Sequence, residues 1–553
     1  MSHSIIPQEV AASYNRLTRN AQFLLTAADF HQMFAPETGV DSIFASLSTL
    51  QDQQVKDELV NAIINLVKEP DVLNMIGNQF FSKGQARIAV DFYEASFQGK
   101  PENPHPLKRK GNALRVIGEV EQAIQAYRQA LAIRYDSGLH SRMLLAMHYD
   151  VQWTAEEIAA EHFTWHHDRA NPAHQLPAIQ SDQPDKAILK IAYLSPDFKS
   201  HPVSYFFQPI VLHHDKSRFH VTCYSTQSGN DGITRRIKGA CDAWCDAERM
   251  STLDLAQKIR TDQIDILIDL AGHTSGNRLD VFQLHPAPIQ ITYLGYPNGV
   301  GMAQMDYRIT DEVADPSACS GHLYREKLVR VEPCFLTFEP PAGRLEVAPA
   351  PCSTNGFITF GSFNKFSKLS GECIATWVKI LNQVTSSRLF LKTGGLENAD
   401  EKRRALDRFH QAGLQDVSRV EIHDLVPSRT DHLLLYDRID IALDPFPYNG
   451  TTTTCQALWM GVPVISLRGD RHVARVGASI LAQMGLEALV ADSMAGYVEI
   501  ACKLAQQPAQ VMSLRQKIRL MMEASPLLDH RGFTQKLESL FRSLWIKKCG
   551  DAF

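Results

Sequence analysis

The chain has 553 residues, enough for about three or four domains and several buried cores. It is 44% hydrophobic and 21% charged, the balance of an ordinary globular protein, and 56 basic against 61 acidic residues leave a net charge of −5. That mild acidity excludes a nucleic-acid protein held by a basic field, and no run of about 18 apolar residues suggests a membrane span. The first residues, MSHSIIPQEVAASYN, lack the basic-then-apolar order of a secretory signal, so a cytoplasmic protein is expected. The ten cysteines are scattered. Cys241 and Cys245 sit close, as CDAWC, but no second pair completes a zinc site, and reduced thiols are expected.

In chain order, residues 1–70 are expected to form an N-terminal helical region, and 71–170 to hold an internal repeat with its flanking helices. IGNQFFSKGQARIAVDFYEAS and KGNALRVIGEVEQAIQAYRQA place Gly77 over Gly111, Gly84 over Gly118, Ala89 over Ala123 and Tyr93 over Tyr127. The common offset of 34 residues is the tetratricopeptide period, with small residues where two helices cross. Such repeats present a groove to a peptide or partner protein, and helices within Ala21–Val67 and Ser137–Arg169 are expected to complete the stack. The polar, proline-rich NPAHQLPAIQSDQPD marks a linker over 171–187.

Beyond it the pattern changes to short β-branched runs alternating with helices. ILKIAYLS, FHVTCYS, IDILIDL, IQITYL and DYRIT read as strands of one block, 188–339. A second break, 340–356, precedes ITFGSF, SRLFLKT, VEIHDL, IDIALD and VPVISL in a block over 357–525, with a C-terminal helix over 526–553. Strand–helix alternation implies parallel sheets covered on both faces, and two such blocks imply two Rossmann-like domains facing a cleft.

In open α/β sheets, ligands sit beyond the carboxyl ends of the strands. Unusual polar residues collect there: His201, His273, the trio Asn364, Lys365 and Lys368, then His432, and finally PFPYNGTTTT. In the last, Asn449–Gly450 reads as a turn tolerating positive φ, a threonine caps a helix through TTCQALWM, and Gly461 and Pro463 stop it. A helix N-terminus with added hydroxyls suits a phosphate. Neither GxxxxGK[ST] nor GxGxxG is present, which argues against a P-loop NTPase or a dehydrogenase.

DFKSHPVSYFF, DLAGHTSGNRLDVFQLHPAPIQITYLGYPNGVGMAQMDYRITD, FGSFNKFSK and DPFPYNGTTTTCQALWMGVPVISLRGDRHVARVGAS together resemble the O-GlcNAc transferase/SPINDLY family. The resemblance runs from about Leu189 to Trp545 and implies a GT-B fold and an inverting, metal-independent protein O-glycosyltransferase. It implies UDP-GlcNAc as donor, acceptor proteins held through the repeat groove, and neither nucleic acid nor membrane as partner. By motif match, Lys368 resembles the lysine on the donor diphosphate, with Gly450, Thr451, Thr452 and Thr453 beside the phosphates. Leu294 and Gly295 resemble the sugar pocket, and Val426 and His432 the nucleotide base site. His201 resembles a proposed base, and His273 is a second candidate.

Two residues depart from the pattern. Lys365 stands where an amide residue is expected, and Gln456 where an acidic residue meets the ribose, which leaves donor identity open. GDP-fucose in SPINDLY-type members, UDP-glucose for asparagine glucosylation, and a decayed adaptor are the alternatives. A homodimer through a convex repeat face is also open.

Overall fold

The computed structural model describes residues 53–167, 176, 183–341, 343 and 345–550. The rest of the stretch expected to carry an N-terminal helical region, and most of Asn171–Asp185, lie outside the described residues. The chain divides into two compact units: one runs up to Leu139 and takes in Gly394–Ala405, and the other comprises His140–Thr393 and Leu406 onward.

The first unit contains helices Gln53–Leu66, Pro70–Ser82, Ala86–Gly99, His105–Val116 and Val120–Ile133. The 34-residue spacing has a direct physical cause. A Cβ on Gly77 would fall 2.7 Å from Cε1 of Tyr93, and one on Gly111 would fall 2.3 Å from Cε1 of Tyr127. Each tyrosine crosses the preceding helix over a bare backbone and donates its hydroxyl to the asparagine after that glycine. Tyr93 reaches Asn78 at 3.0 Å and Tyr127 reaches Asn112 at 2.9 Å. Gly84 and Gly118 turn the chain at φ +76° and +82°, a conformation that glycine adopts without strain.

The second unit contains two wholly parallel sheets. The first comprises β1 (Leu189–Ser195), β2 (Phe219–Ser225), β3 (Ala243–Asp246), β4 (Ile266–Asp269), β5 (Ile289–Thr292), β6 (Tyr307–Thr310) and β7 (Lys327–Arg330). Their order is β3-β2-β1-β4-β5-β6-β7. The second comprises β8 (Thr359–Ser362), β9 (Arg388–Lys392), β10 (Val420–His423), β11 (Ile441–Leu443), β12 (Val464–Leu467) and β13 (Val490–Ala491). Its order is β10-β9-β8-β11-β12-β13. Both are doubly wound, with switch points between β1 and β4 and between β8 and β11, where ligand crevices form.

Helices Ser137–Met147 and Ala155–His167, expected to complete the repeat stack, carry side chains that reach the loops of the first sheet. Ser141 Oγ bonds His273 Nδ1 at 2.9 Å, and His162 Nε2 bonds the Tyr296 hydroxyl at 2.8 Å. These polar side chains find their partners on the first sheet's loops, which ties the two helices to that half. Helix His530–Gly550 returns to the same half. Its Glu538 carboxylate accepts from His214 Nδ1 at 3.0 Å and from the Asp215 N–H at 2.7 Å. The Trp545 indole donates to the Gln183 carbonyl.

Candidate active site

At the second switch point, β8 runs into Asn364 and Lys365, and a single tight turn, Phe366–Lys368, follows. The Phe366 N–H donates to Thr393 Oγ1 at 2.8 Å and pins the turn. Lys368 Nζ donates to the Asn449 carbonyl at 2.8 Å and to Asn364 Oδ1 at 3.3 Å, and lies 4.2 Å from the centre of the Tyr448 ring. Burial pushes its pKa down to about 7; nearby Lys365 adds to this, and Asp444 opposes it.

Asp444 leaves β11 buried. Its carboxylate accepts from the Gly450 N–H at 2.6 Å and the Ser466 hydroxyl at 2.8 Å. Burial lifts its pKa to about 6 despite these bonds and Lys368. Asn449 is also buried, donating its amide to the Pro445 carbonyl and its N–H to the Val473 carbonyl, and this aims its own carbonyl at Lys368.

Two local expectations change here. Gly450 does not have a positive φ. It is glycine because a Cβ would lie 2.5 Å from Thr453 Oγ1 and 2.6 Å from Thr454 Oγ1. Thr451 occupies the N-cap position, but its side chain makes no capping bond. Helix Thr452–Trp459 first closes with the Cys455 N–H on the Thr451 carbonyl at 3.0 Å, which leaves the first-turn N–H groups without a partner inside the helix. Thr453 Oγ1 donates to Asn364 Oδ1 at 3.1 Å, joining the two loops.

One turn further along, Gln456 Oε1 lies 2.9 Å from His432 Nε2, and His432 Nδ1 lies 2.8 Å from Lys392 Nζ. His432 sits in helix Arg429–Leu434, which is capped by Ser428 accepting the Asp431 N–H. Val426 lies half-buried in the loop before it. The Phe363 ring packs at a tilt against Tyr436, 4.3 Å between centroids, and the Tyr436 hydroxyl donates to the Thr453 carbonyl.

The first half supplies the loop after β1. His201 Nδ1 accepts the Val203 N–H at 3.4 Å and stands 3.4 Å from Asp197 Oδ2. Burial lowers the imidazole to about 4, with contributions from Lys365 of the second half and from Lys199. Its neighbour Asp197 is raised to about 6 by burial.

Leu294 has φ +71°, rare for a residue with a side chain, and the Gly295 N–H closes on the Tyr293 carbonyl at 2.9 Å. A Cβ on Gly295 would fall 1.8 Å from the Leu270 carbonyl oxygen, so this strained turn packs directly against the end of β4.

His273 is not placed for proton transfer. It is 1% exposed, Nδ1 pairs with Ser141, and Nε2 lies 3.0 Å from the Val300 carbonyl. The rings of Trp165, His162 and Tyr296 enclose it at 4.7 to 5.3 Å. Both nitrogens are spent within the protein, so His273 is a satisfied core residue.

The two halves meet beside the crevice. His472 Nδ1 lies 2.6 Å from Asp315 Oδ2, Ser479 donates to Asp311 at 2.6 Å, and the Arg429 guanidinium covers the Tyr205 ring at 4.1 Å. Sequence reading missed Asp444, Tyr448, Asn449 and Lys392. The first three stand inside the quoted motif at the strand end, where position was the available signal. Lys392 ends β9 and carried no signal beyond a strand-terminal lysine. Among the described residues, no three His, Cys, Asp or Glu side chains gather as a metal site.

This geometry, a lysine and a helix N-terminus together at the switch point of a doubly wound sheet, can hold a diphosphate and stabilise it as a leaving group. The chain matches the family described as Glycosyl transferase family 41 over residues 135–338 and 353–537. It is 38% identical over 414 residues to the tomato (Solanum lycopersicum) protein named probable UDP-N-acetylglucosamine–peptide N-acetylglucosaminyltransferase SPINDLY, covering 74% of this chain and 44% of that one. To the Caenorhabditis elegans UDP-N-acetylglucosamine–peptide N-acetylglucosaminyltransferase it is 25% identical over 475 residues, covering 65% and 41%. The chain thus spans less than half the length of these curated relatives. A solved variant of the Thermobaculum terrenum O-GlcNAc transferase superposes with a TM-score of 0.81 at 30% identity, covering 99% of this chain and 100% of that one. The chain belongs to glycosyl transferase family 41, built on a GT-B pair of Rossmann-like domains preceded by helical repeats.

Proposed function

We propose that the protein is a cytoplasmic, inverting, metal-independent O-glycosyltransferase that moves GlcNAc from UDP-GlcNAc to serine or threonine of acceptor proteins. The observation that carries this is Lys368, held by two neutral oxygens, with its charge weakened by burial, beside the open turn of helix Thr452–Trp459. A diphosphate entering there restores the ammonium. As the sugar–phosphate bond breaks, negative charge grows on the phosphate where the lysine and helix N–H groups already point, and such preorganised donors act chiefly in the transition state.

Asn364, Lys365, Gly450, Thr451, Thr452 and Thr453 surround the phosphates in this reading. Leu294 and Gly295 wall the sugar, and Val426, His432 and Gln456 take the nucleoside. His201, neutral at working pH but a weak base at about 4, holds an oxygen of sugar or acceptor by hydrogen bonding. The repeat unit receives the acceptor protein.

GDP-fucose is the second donor to test, because Gln456 replaces the expected carboxylate and the chain is 38% identical to the SPINDLY relative against 25% to the nematode one. Thermal shifts with UDP and GDP, side by side, separate the two. A nucleotide at 100 times its Kd stabilises by about 2.7 kcal/mol. A shift with UDP supports the GlcNAc donor, a shift with GDP alone moves the assignment to fucose, and no shift with either overturns the donor site in favour of a decayed adaptor.

A further inference from the structure

What Gln456 offers a ligand is decided by its neighbours. Lys392 is 6% exposed, and its Nζ lies 2.8 Å from His432 Nδ1, while the opposite ring nitrogen lies 2.9 Å from Gln456 Oε1. An ammonium can only donate, so Nδ1 accepts. The ring is neutral, since burial depresses its pKa, aided by Lys392 and Arg429 and opposed by the Gln456 bond. A neutral imidazole accepting at Nδ1 carries its proton on Nε2, and that N–H requires an acceptor. In a carboxamide only the oxygen can serve. The Gln456 oxygen is therefore taken, and its NH2 has no protein partner among the described residues, in a side chain only 4% exposed. Phe363 packs against both cation and ring, 5.8 Å from Lys392 Nζ and 5.9 Å from the His432 centroid.

We infer that Lys392 is a positioning residue that, through His432, locks the Gln456 amide with its NH2 toward the crevice, so that this point engages the donor's nucleoside through a hydrogen-bond acceptor. The inference rests on the donor-site reading above, which places the nucleoside at His432 and Gln456. A carboxylate at position 456 would present the opposite polarity and hold a ribose hydroxyl by its proton. The locked amide instead donates into an oxygen lone pair, whether of a ribose hydroxyl or a base carbonyl.

Two readouts test it. In protein carrying nitrogen-labelled histidine, the His432 signals are identified by their loss in His432→Phe. The wild type is expected in the Nε2–H form, and Lys392→Met, which cannot donate, in a mixture of both forms. An Nδ1–H form in the wild type overturns the relay whatever binds.

The second readout is calorimetric affinity for UDP and its 2′-fluoro and 3′-fluoro ribose analogues, in which the hydroxyl donor is removed and size is kept. Wild type is expected to lose less than about threefold on either analogue, and Gln456→Glu at least about tenfold on one, the cost of a lost hydrogen bond to a charged group. Lys392→Arg, which keeps a donor, is expected to retain the wild-type ratios, whereas Lys392→Met is not. A wild type that loses as much as Gln456→Glu on the same analogue overturns the inference. If the wild type binds neither UDP nor GDP, the donor-site reading fails, and the tautomer still decides the relay.

Discussion

Lys368 donates to the main-chain carbonyl of Asn449 at 2.8 Å, joining loops 81 residues apart in the chain. The bond joins the loop after β8 to the loop after β11, the two strands that flank the switch point. Neutral carbonyls hold the ammonium in place without neutralising it. Replacing the lysine by alanine therefore removes a charge the protein itself does not consume. Lys368→Ala is expected to slow turnover about a hundredfold or more, about 3 kcal/mol of transition-state stabilisation. The melting temperature is expected to stay within a few degrees, since little apolar surface is lost. Steady-state kinetics beside a thermal melt check both, and a folded variant with undiminished turnover removes Lys368 from the diphosphate.

The same lysine sets a pH dependence. Free, it titrates at about 7; paired with a diphosphate it titrates higher. Above pH 7, binding must therefore take up a proton, and affinity falls as pH rises, by up to about tenfold per unit. Below pH 7 the lysine is already charged and affinity levels off until the phosphate itself, near pH 6, gains a proton. Calorimetry of UDP binding at pH 8 in two buffers of different ionisation enthalpy is expected to show uptake approaching one proton. A flat affinity from pH 7 to 9 with no uptake would show that another group carries the phosphate.

How much of this could be read from the chain follows from where each residue's partners lie. Strands β4 (ILID) and β11 (IAL) are buried throughout and read as short apolar runs, and β1 (LKIAYLS) nearly so. Edge strands escape that signal. β3 is AWCD, β7 is KLVR with a basic residue at each end, and β13 is two residues long. Lys368 and Thr452 were legible because strand ends mark ligand rims. Asn449 and Lys392 were not, because their roles arise from bonds to residues 81 and 40 positions away. His273 illustrates the converse: a rim position in the sequence became a core position once Ser141, on a helix 132 residues earlier, packed over it.

The repeat glycines yield a stability prediction. A methyl group on Gly111 would sit 2.3 Å from the Tyr127 ring, against 2.7 Å for Gly77 and Tyr93. Neither ring can retreat freely, because its hydroxyl is tied to an asparagine on the same helix as the glycine. Gly111→Ala is expected to destabilise the repeat unit by about 1–3 kcal/mol, with Gly77→Ala smaller, as overpacking outweighs the gain in helix propensity. Urea melts monitored by helical circular dichroism check the order. Pairing Gly111→Ala with Tyr127→Leu is expected to recover part of the loss.

His273 and its neighbours predict an acid response. His162 is held to about 4 by burial, and His148 and His273 are driven well below the usual histidine range by burial, reinforced in each by the nearby His162. All three are neutral in the folded state. The unfolded chain binds protons below about pH 6.5 where the folded one does not, so stability is full above 6.5 and falls as pH drops toward 4. Each histidine contributes a slope of up to about 1.4 kcal/mol per pH unit. His273→Phe removes one of these protons, and with it the hydrogen bonds to Ser141 and Val300. It is expected to lower stability at pH 8, flatten the decline between pH 6.5 and 4, and leave turnover within about threefold at temperatures where the variant is folded. Denaturant midpoints at pH 5 and 8, with the turnover rate at the higher pH, separate this from a catalytic role. A variant as stable as wild type that turns over about a hundredfold more slowly would return His273 to the reaction.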